Sequence, residues 1–220
     1  VDRNLDNKVQ RTRERPIASK KISVLEAFIY VTILCLLALL ILVQFNFLTI
    51  LLGMGSMFFA FAYPFMKRIT YWPQLFLGLT FNWGIIMGWT SIINSLSIEP
   101  LILYLAAIFW TLGYDTIYGL QDIHDDEIIG IKSTSIKFKN NVKVFVGTCY
   151  ILCTLCILTL SLLMEINKYF LLLSIFFILS LVYQVKIFKS NSPKSCLSCF
   201  KMNNFTGLFI FLFIFSFNLL

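Results

Sequence analysis

Charge is scarce in this sequence. Asp, Glu, Lys and Arg make up 13% of the 220 residues, roughly half the share of an ordinary soluble domain, and that excludes a single water-soluble fold. Histidine occurs once, at His124 in a polar stretch, which reads as a surface residue and not a catalytic one. No signal-peptide pattern opens the chain, which passes from Val1 straight into Asp2, Arg3 and Asp6. A disulfide framework is equally missing: Cys35, Cys149, Cys153 and Cys156 fall inside apolar runs, where cysteine acts as a small hydrophobe. Cys196 and Cys199 form a CxxC, expected in an ordinary polar loop, with no partners for a zinc or redox role.

What fills the chain is apolar surface. Hydrophobic residues are 59% of the sequence and phenylalanine alone occurs 23 times. Seven stretches approach the length that crosses a bilayer, about 24–43, 47–66, 75–95, 100–119, 142–163, 169–188 and 205–220. The last of these is the shortest and reads as lipid-facing on both sides. The expected fold class is all-α, a polytopic transmembrane helical bundle in one domain, 1–220.

The sparse charges are placed one-sidedly. When the connections between spans are assigned alternately to the two sides, all but one of the 18 Lys and Arg fall together, Lys168 being the exception. Basic residues near span ends stay on the cytoplasmic side, so the basic connections are expected there. The opposite connections, around 44–46, 95–99 and 165–168, are short and nearly uncharged. The net charge of +7 therefore reflects orientation and attraction to lipid headgroups; nucleic acid is not an expected partner.

Against that background the acidic residues stand out. Asp115, Asp122, Asp125 and Asp126 cluster at the basic end of the fourth span. On a continuous helix Asp115, Asp122 and Asp126 fall within roughly 40° of one another, with Tyr118 to one side. A carboxylate at the depth of Asp115 is costly beside hydrocarbon unless it meets water or cations, so a functional site is favoured over a structural polar seam. Glu127 reads instead as a solvated helix end. Asp2 and Asp6 are also four apart, on one face if helical, and their side of the membrane is the same. Opposed carboxylates suit magnesium bridged to phosphate oxygens, and Arg11, Arg13, Arg15, Lys67, Arg68 and Lys132 lie where they could hold a diphosphate. Positive-inside bias alone also explains Lys67 and Arg68, and acidic span ends also mark cation transporters, so that class stays as a rival reading.

At these residues the sequence resembles the UbiA superfamily of prenyltransferases, in particular its 4-hydroxybenzoate polyprenyltransferase branch. Asp2-Arg3-Asn4-Leu5-Asp6 with Arg11-Thr12-Arg13-Glu14-Arg15-Pro16 is similar to the latter part of the first aspartate motif and its RTxxRP tail. Tyr63-Pro64-Phe65-Met66-Lys67-Arg68, Pro73-Gln74 and Gly78 resemble the central signature. Tyr114-Asp115-Thr116-Ile117-Tyr118, Asp122, Asp125-Asp126 and Gly130-Ile131-Lys132-Ser133-Thr134 resemble the second motif and its GxKST run. Lys20 departs from the pattern, standing where the family tends to have glycine.

The resemblance implies a nine-span bundle of which about seven are present, with two spans and the front of the first motif expected ahead of Val1. A chain lacking them is expected to fold poorly or be inactive alone. It implies Mg2+ held by Asp2, Asp6, Asp115, Asp122 and Asp126, and a diphosphate held by Arg11, Lys67, Arg68 and Lys132. Asp115 and Tyr118 are the implied catalytic residues, Tyr118 orienting the phosphate or the acceptor and Asp115 also taking the acceptor's phenolic proton. Phe81 and Trp83 are candidate cavity aromatics. The implied substrates are polyprenyl diphosphate and 4-hydroxybenzoate, in ubiquinone synthesis at a bacterial or mitochondrial inner membrane. Haem, naphthoate, homogentisate and chlorophyllide remain alternative acceptors within the superfamily.

Overall fold

The computed structural model describes residues 2–7, 9, 12–164 and 168–215, and every regular element among them is helical. Arg11, the connection at 165–167 and the chain end at 216–220 lie outside the described residues. A single turn, α1 (Arg3–Asp6), comes first. α2 (Val24–Leu42) begins at a capping box, in which the Ser23 hydroxyl accepts from the Glu26 N–H at 3.1 Å and the Ser23 N–H donates to the Glu26 carboxylate at 2.8 Å. None of its residues is buried. Its uniformly apolar surface therefore belongs against lipid or further helices.

α3 (Phe47–Ile69) starts at Asn46, whose side chain accepts from the Thr49 N–H and donates to the Thr90 carbonyl at 2.7 Å. It ends on Lys67 and Arg68, two cations where the helix dipole favours them. The third expected span is broken, not continuous: α4 (Pro73–Phe81) and α5 (Gly84–Ile93) meet at Asn82 and Trp83. Asn82 donates to the Gly78 carbonyl at 2.9 Å and to the Thr111 hydroxyl at 2.8 Å, so the polar side chain at the break is satisfied by its neighbour helix.

α6 (Ile98–Gly119) runs into a 3-10 turn (Leu120–Asp122) and then α7 (Ile123–Ile129). Gly130 at φ 79° closes α7 and turns the chain into α8 (Thr134–Lys137). α9 (Val142–Leu163), α10 (Lys168–Ile187) and α11 (Pro193–Phe215) complete the bundle. Gly113 lets α6 and α9 approach closely, since any Cβ there would overlap the Tyr150 ring. The main core lies between α6, α9, α10 and α11, around Ile117, Val146, Cys153, Phe177 and Leu181. Gln184 is fully buried in it, accepting from Tyr150 at 3.0 Å and donating to Asn203 and Thr206.

Among the described residues, six helical segments are long and apolar enough to cross a membrane, and Leu172–Ile187 of α10 adds a shorter apolar helix. The chain is therefore a polytopic all-α membrane protein. The start of the last span differs from the sequence reading. The final helix begins at Pro193, not near 205, which places Cys196 and Cys199 inside a helix and not in a loop. Both thiols are buried, with Cys196 donating to the Lys189 carbonyl, because the polar start of α11 packs beneath the end of α10. The same packing buries Thr206 and Phe213, so α11 is not lipid-facing all round.

Lys20 adopts φ 60°, the left-handed region in which a side chain clashes with its own backbone. This accounts for glycine at the corresponding place of the resembled pattern. Lys20→Gly is expected to stabilise the fold by about 1 kcal/mol, read as a higher unfolding midpoint in detergent.

Candidate active site

The two acidic segments come to the same end of the bundle. Asp6 N–H donates to the Asp2 carbonyl at 2.8 Å, so the two aspartates are one helical turn apart as expected. One carboxylate oxygen of Asp2 lies 2.5 Å from Lys67 Nζ and the other 3.3 Å from an Arg68 nitrogen. Asp6 pairs with Arg15 at 3.0 Å. The first segment is thus held against the C-terminal turn of α3 and against the strand of chain that leads to α2. A cavity of about 450 Å3 lies there, lined by Asp2, Asp6, Arg15 and Tyr30 among others.

Asp115 reaches the same region from α6. It is half-buried, and the Tyr63 hydroxyl of α3 lies within electrostatic reach of Asp115, Asp2 and Arg15 together. Tyr63 was part of the signature run but had no role in the sequence reading. The charges of both motifs act on it from separate elements of the bundle, which no local pattern reveals.

The column of carboxylates is not one straight helix face. A 3-10 turn winds more tightly than an α-helix, so the three residues from Leu120 to Asp122 add about 60° of rotation. Asp122 and Asp126 are consequently turned relative to Asp115, though both stay half-buried at this end. His124 is exposed, and Glu127 pairs with Lys139 at 2.6 Å on the surface.

The aromatic side of the site is built by α6 and α11. Tyr118 stacks obliquely on Phe200 with ring centres 4.4 Å apart, and Tyr114 stands edge-on to both Phe200 and Trp110. Phe200 was invisible to motif reasoning because it lies far along the chain, in the polar start of α11. Phe81 instead points outward at 71% exposure, and Trp83 is committed to packing, donating to the Leu52 carbonyl at 3.0 Å beside Phe59 and Tyr104.

Lys132 is tied to α3. Its N–H donates to the Lys67 carbonyl at 2.9 Å and its ammonium to the Ile69 carbonyl at 3.2 Å, with the Tyr71 ring 5.7 Å away.

The donors gathered here are hard oxygens. Among the described residues no three His, Cys, Asp or Glu side chains converge on one point as a self-contained metal cage. Magnesium is commonly held by one or two carboxylates together with the oxygens of a ligand. The pairing of Asp2 and Asp6 with three cations supplies both halves of such a site, carboxylates for a metal and basic groups for phosphate. The residues fit a magnesium-linked diphosphate.

Residues 1–215 match the model of the UbiA prenyltransferase family. The chain belongs to that family. Among its relatives is a 4-hydroxybenzoate octaprenyltransferase of Psychromonas ingrahamii, 38% identical over 212 residues, covering 96% of this chain and 74% of that protein. A mitochondrial 4-hydroxybenzoate polyprenyltransferase of Bos taurus is 39% identical over 96% of this chain and 57% of its own length. The counterpart in Drosophila pseudoobscura pseudoobscura is 47% identical over 147 residues. That match covers 66% of this chain but 37% of the relative, so the aligned stretch spans under two fifths of the longer family member. The fold is that of a solved UbiA homolog from Aeropyrum pernix K1, at a TM-score of 0.81 over 96% of this chain and 80% of that one, with 20% identity.

Proposed function

We propose that this chain carries the site of a magnesium-dependent enzyme that transfers a polyprenyl group from polyprenyl diphosphate to the ring of 4-hydroxybenzoate, in ubiquinone biosynthesis. What supports it best is the pairing of Asp2 with Lys67 and Arg68 and of Asp6 with Arg15, together with Asp115, whose charge and that of Asp2 both act on the Tyr63 hydroxyl. Carboxylates from distant parts of the chain share one rim with the cations a diphosphate needs.

Asp2, Asp6, Asp115, Asp122 and Asp126 are the residues that hold magnesium, and Lys67, Arg68 and Arg11 bind the diphosphate, joined by Arg15. When bound, the metal supplies positive charge to the departing diphosphate. The prenyl C1–O bond breaks, a ring carbon of the acceptor bonds to C1, and the ring then loses a proton. Tyr114, Tyr118 and Phe200 present aromatic faces on which developing allylic charge is stabilised. Tyr118 orients the phosphate or the acceptor. Asp115 takes the phenolic proton, which makes the ring a stronger nucleophile. Lys132 acts on this site from behind, through Lys67.

The proposed setting is a bacterial or mitochondrial inner membrane with the charged end on the cytoplasmic or matrix side, since basic residues are retained there. The test is turnover: the protein in membranes, given labelled polyprenyl diphosphate, 4-hydroxybenzoate and Mg2+, is expected to form a prenylated hydroxybenzoate. Ion flux across the membrane without that product would reject the reading.

A further inference from the structure

The GxKST run makes contacts that neither substrate binding nor metal binding uses. From Lys132 to Ser135, the residue just past the run, the chain touches three separate helices, and at the last two positions it does so through buried groups. Lys132 grips the end of α3 through two carbonyls, those of Lys67 and Ile69. The Thr134 N–H donates to Gln74 Oε1 of α4 at 3.0 Å, and Thr134 Oγ1 lies 2.6 Å from Thr116 Oγ1 of α6. The Thr116 hydroxyl already donates its proton to the Leu112 carbonyl at 2.6 Å. A hydroxyl has one proton to give, so Thr134 is the donor of that pair.

Ser135 completes the grip. At the end of α6 the Leu120 N–H turns to the carbonyls of Ile117 and Tyr118, leaving the Thr116 carbonyl without the partner that an unbroken α-helix would give it. The Ser135 hydroxyl donates to that carbonyl at 2.8 Å. The hydrogen bond thus stands at the place where α6 tightens into the 3-10 turn, which in turn aims Asp122 and α7. The approach is close enough to require Gly119, where a Cβ would lie 2.5 Å from Ser135 Oγ. Thr116, Thr134 and Ser135 are fully buried and Gln74 nearly so. In a low-dielectric interior such groups are costly unless every one is matched.

We propose that Lys132–Ser135 is a clasp that fixes the spacing between the two acidic segments, with Thr134 as its positioning residue. Lys67 is the joint. Its side chain holds Asp2 of the first segment, and its carbonyl holds the loop that ends the second. Thr134 touches neither substrate nor metal; it acts through α6 and α4. The proposal rests on the diphosphate site described above only for its consequence in turnover, not for the spacing itself.

Thr134→Val keeps the shape and removes the hydroxyl, and Thr134→Ser keeps the hydroxyl. With Cys35 replaced by serine, spin labels at the exposed positions 69 and 128, on either side of the clasp, report the spacing by pulsed dipolar spectroscopy in nanodiscs. The valine variant is expected to shift or broaden the distance distribution, and the serine variant to match the wild type. In turnover assays the valine variant is expected to need roughly tenfold more Mg2+ for half-maximal rate, as groups that orient ligands commonly cost 10–100-fold, with the KM for the aromatic acceptor unchanged. An unchanged distance distribution in Thr134→Val overturns the clasp. So does a valine variant whose folded fraction falls while its Mg2+ response stays wild-type, because that is plain structural damage. If the wild type shows no prenyl transfer, the proposed activity fails and the distances still decide the clasp.

Discussion

Asparagine in place of Asp115 is expected to abolish prenyl transfer while leaving membrane insertion intact. Asp115 is half-buried near the end of α6, and its charge acts on the same Tyr63 hydroxyl as that of Asp2. Asparagine has the same shape and can still accept a hydrogen bond, so helix packing has no reason to change. What disappears is one negative charge at the point where charge balance matters most. Lys67, Arg68 and Arg15 already crowd Asp2 and Asp6, and removing Asp115 lets that positive group repel a divalent ion. Electrostatic support of a leaving group amounts to several kcal/mol, so the loss is at least about 100-fold in rate. The check is labelled product per milligram of membrane protein, with insertion measured on the same membranes. Turnover within a few fold of wild type would remove Asp115 from the metal site.

The class of the fold was readable because bilayer crossing imposes a length and an apolar content that few other structures share. Acidic residues were readable for the opposite reason: a carboxylate at the depth of Asp115 has to be explained. What sequence periodicity could not supply was any departure from regular helix. The break at Asn82 depends on Thr111 across the bundle, and the 3-10 turn before Asp122 depends on Ser135, both long-range partners. The helical wheel drawn through Asp115, Asp122 and Asp126 assumed a continuous helix, which the 3-10 turn at Leu120–Asp122 interrupts. Cys196 and Cys199 were misplaced for a related reason, since a polar helix start looks like a loop until the helix beneath which it packs is known.

Gln74 and Thr134 show where the motif signal was present but unread. Both lie in the runs that carried the family resemblance, yet neither is charged or nucleophilic, and chemistry-led reasoning passes over such residues. Their value is visible only as a pair, one accepting from the other at 3.0 Å across 60 positions of sequence. Phe200 gave no signal at all, because it lies in a polar stretch read as a loop, and nothing local there places it against Tyr118.

Neutralising Lys67 is expected to move two affinities in opposite directions. Lys67 Nζ sits 2.5 Å from one oxygen of Asp2, and Arg68 covers the other at a longer 3.3 Å. On the proposed reading the ammonium, in the absence of substrate, occupies the carboxylate that a divalent ion would need, and on substrate binding it would be released to a phosphate oxygen. In Lys67→Met the bare ion loses a competitor and should bind more tightly, while the diphosphate loses a partner and should bind more weakly. A hydrogen bond to a charged group contributes about 1.5–3 kcal/mol, so each change is on the order of tenfold or more. The backbone carbonyl that receives Lys132 is untouched by the substitution, which separates this effect from any loosening of the clasp. Mn2+ binding followed by electron paramagnetic resonance, with and without an unreactive prenyl thiodiphosphate, reads both affinities in one preparation. No change in either would mean that Lys67 serves only to orient α3 in the membrane. A parallel fall in both would mean that it serves to anchor Asp2, because then the carboxylate itself, and not merely its counter-charge, has been lost from the site.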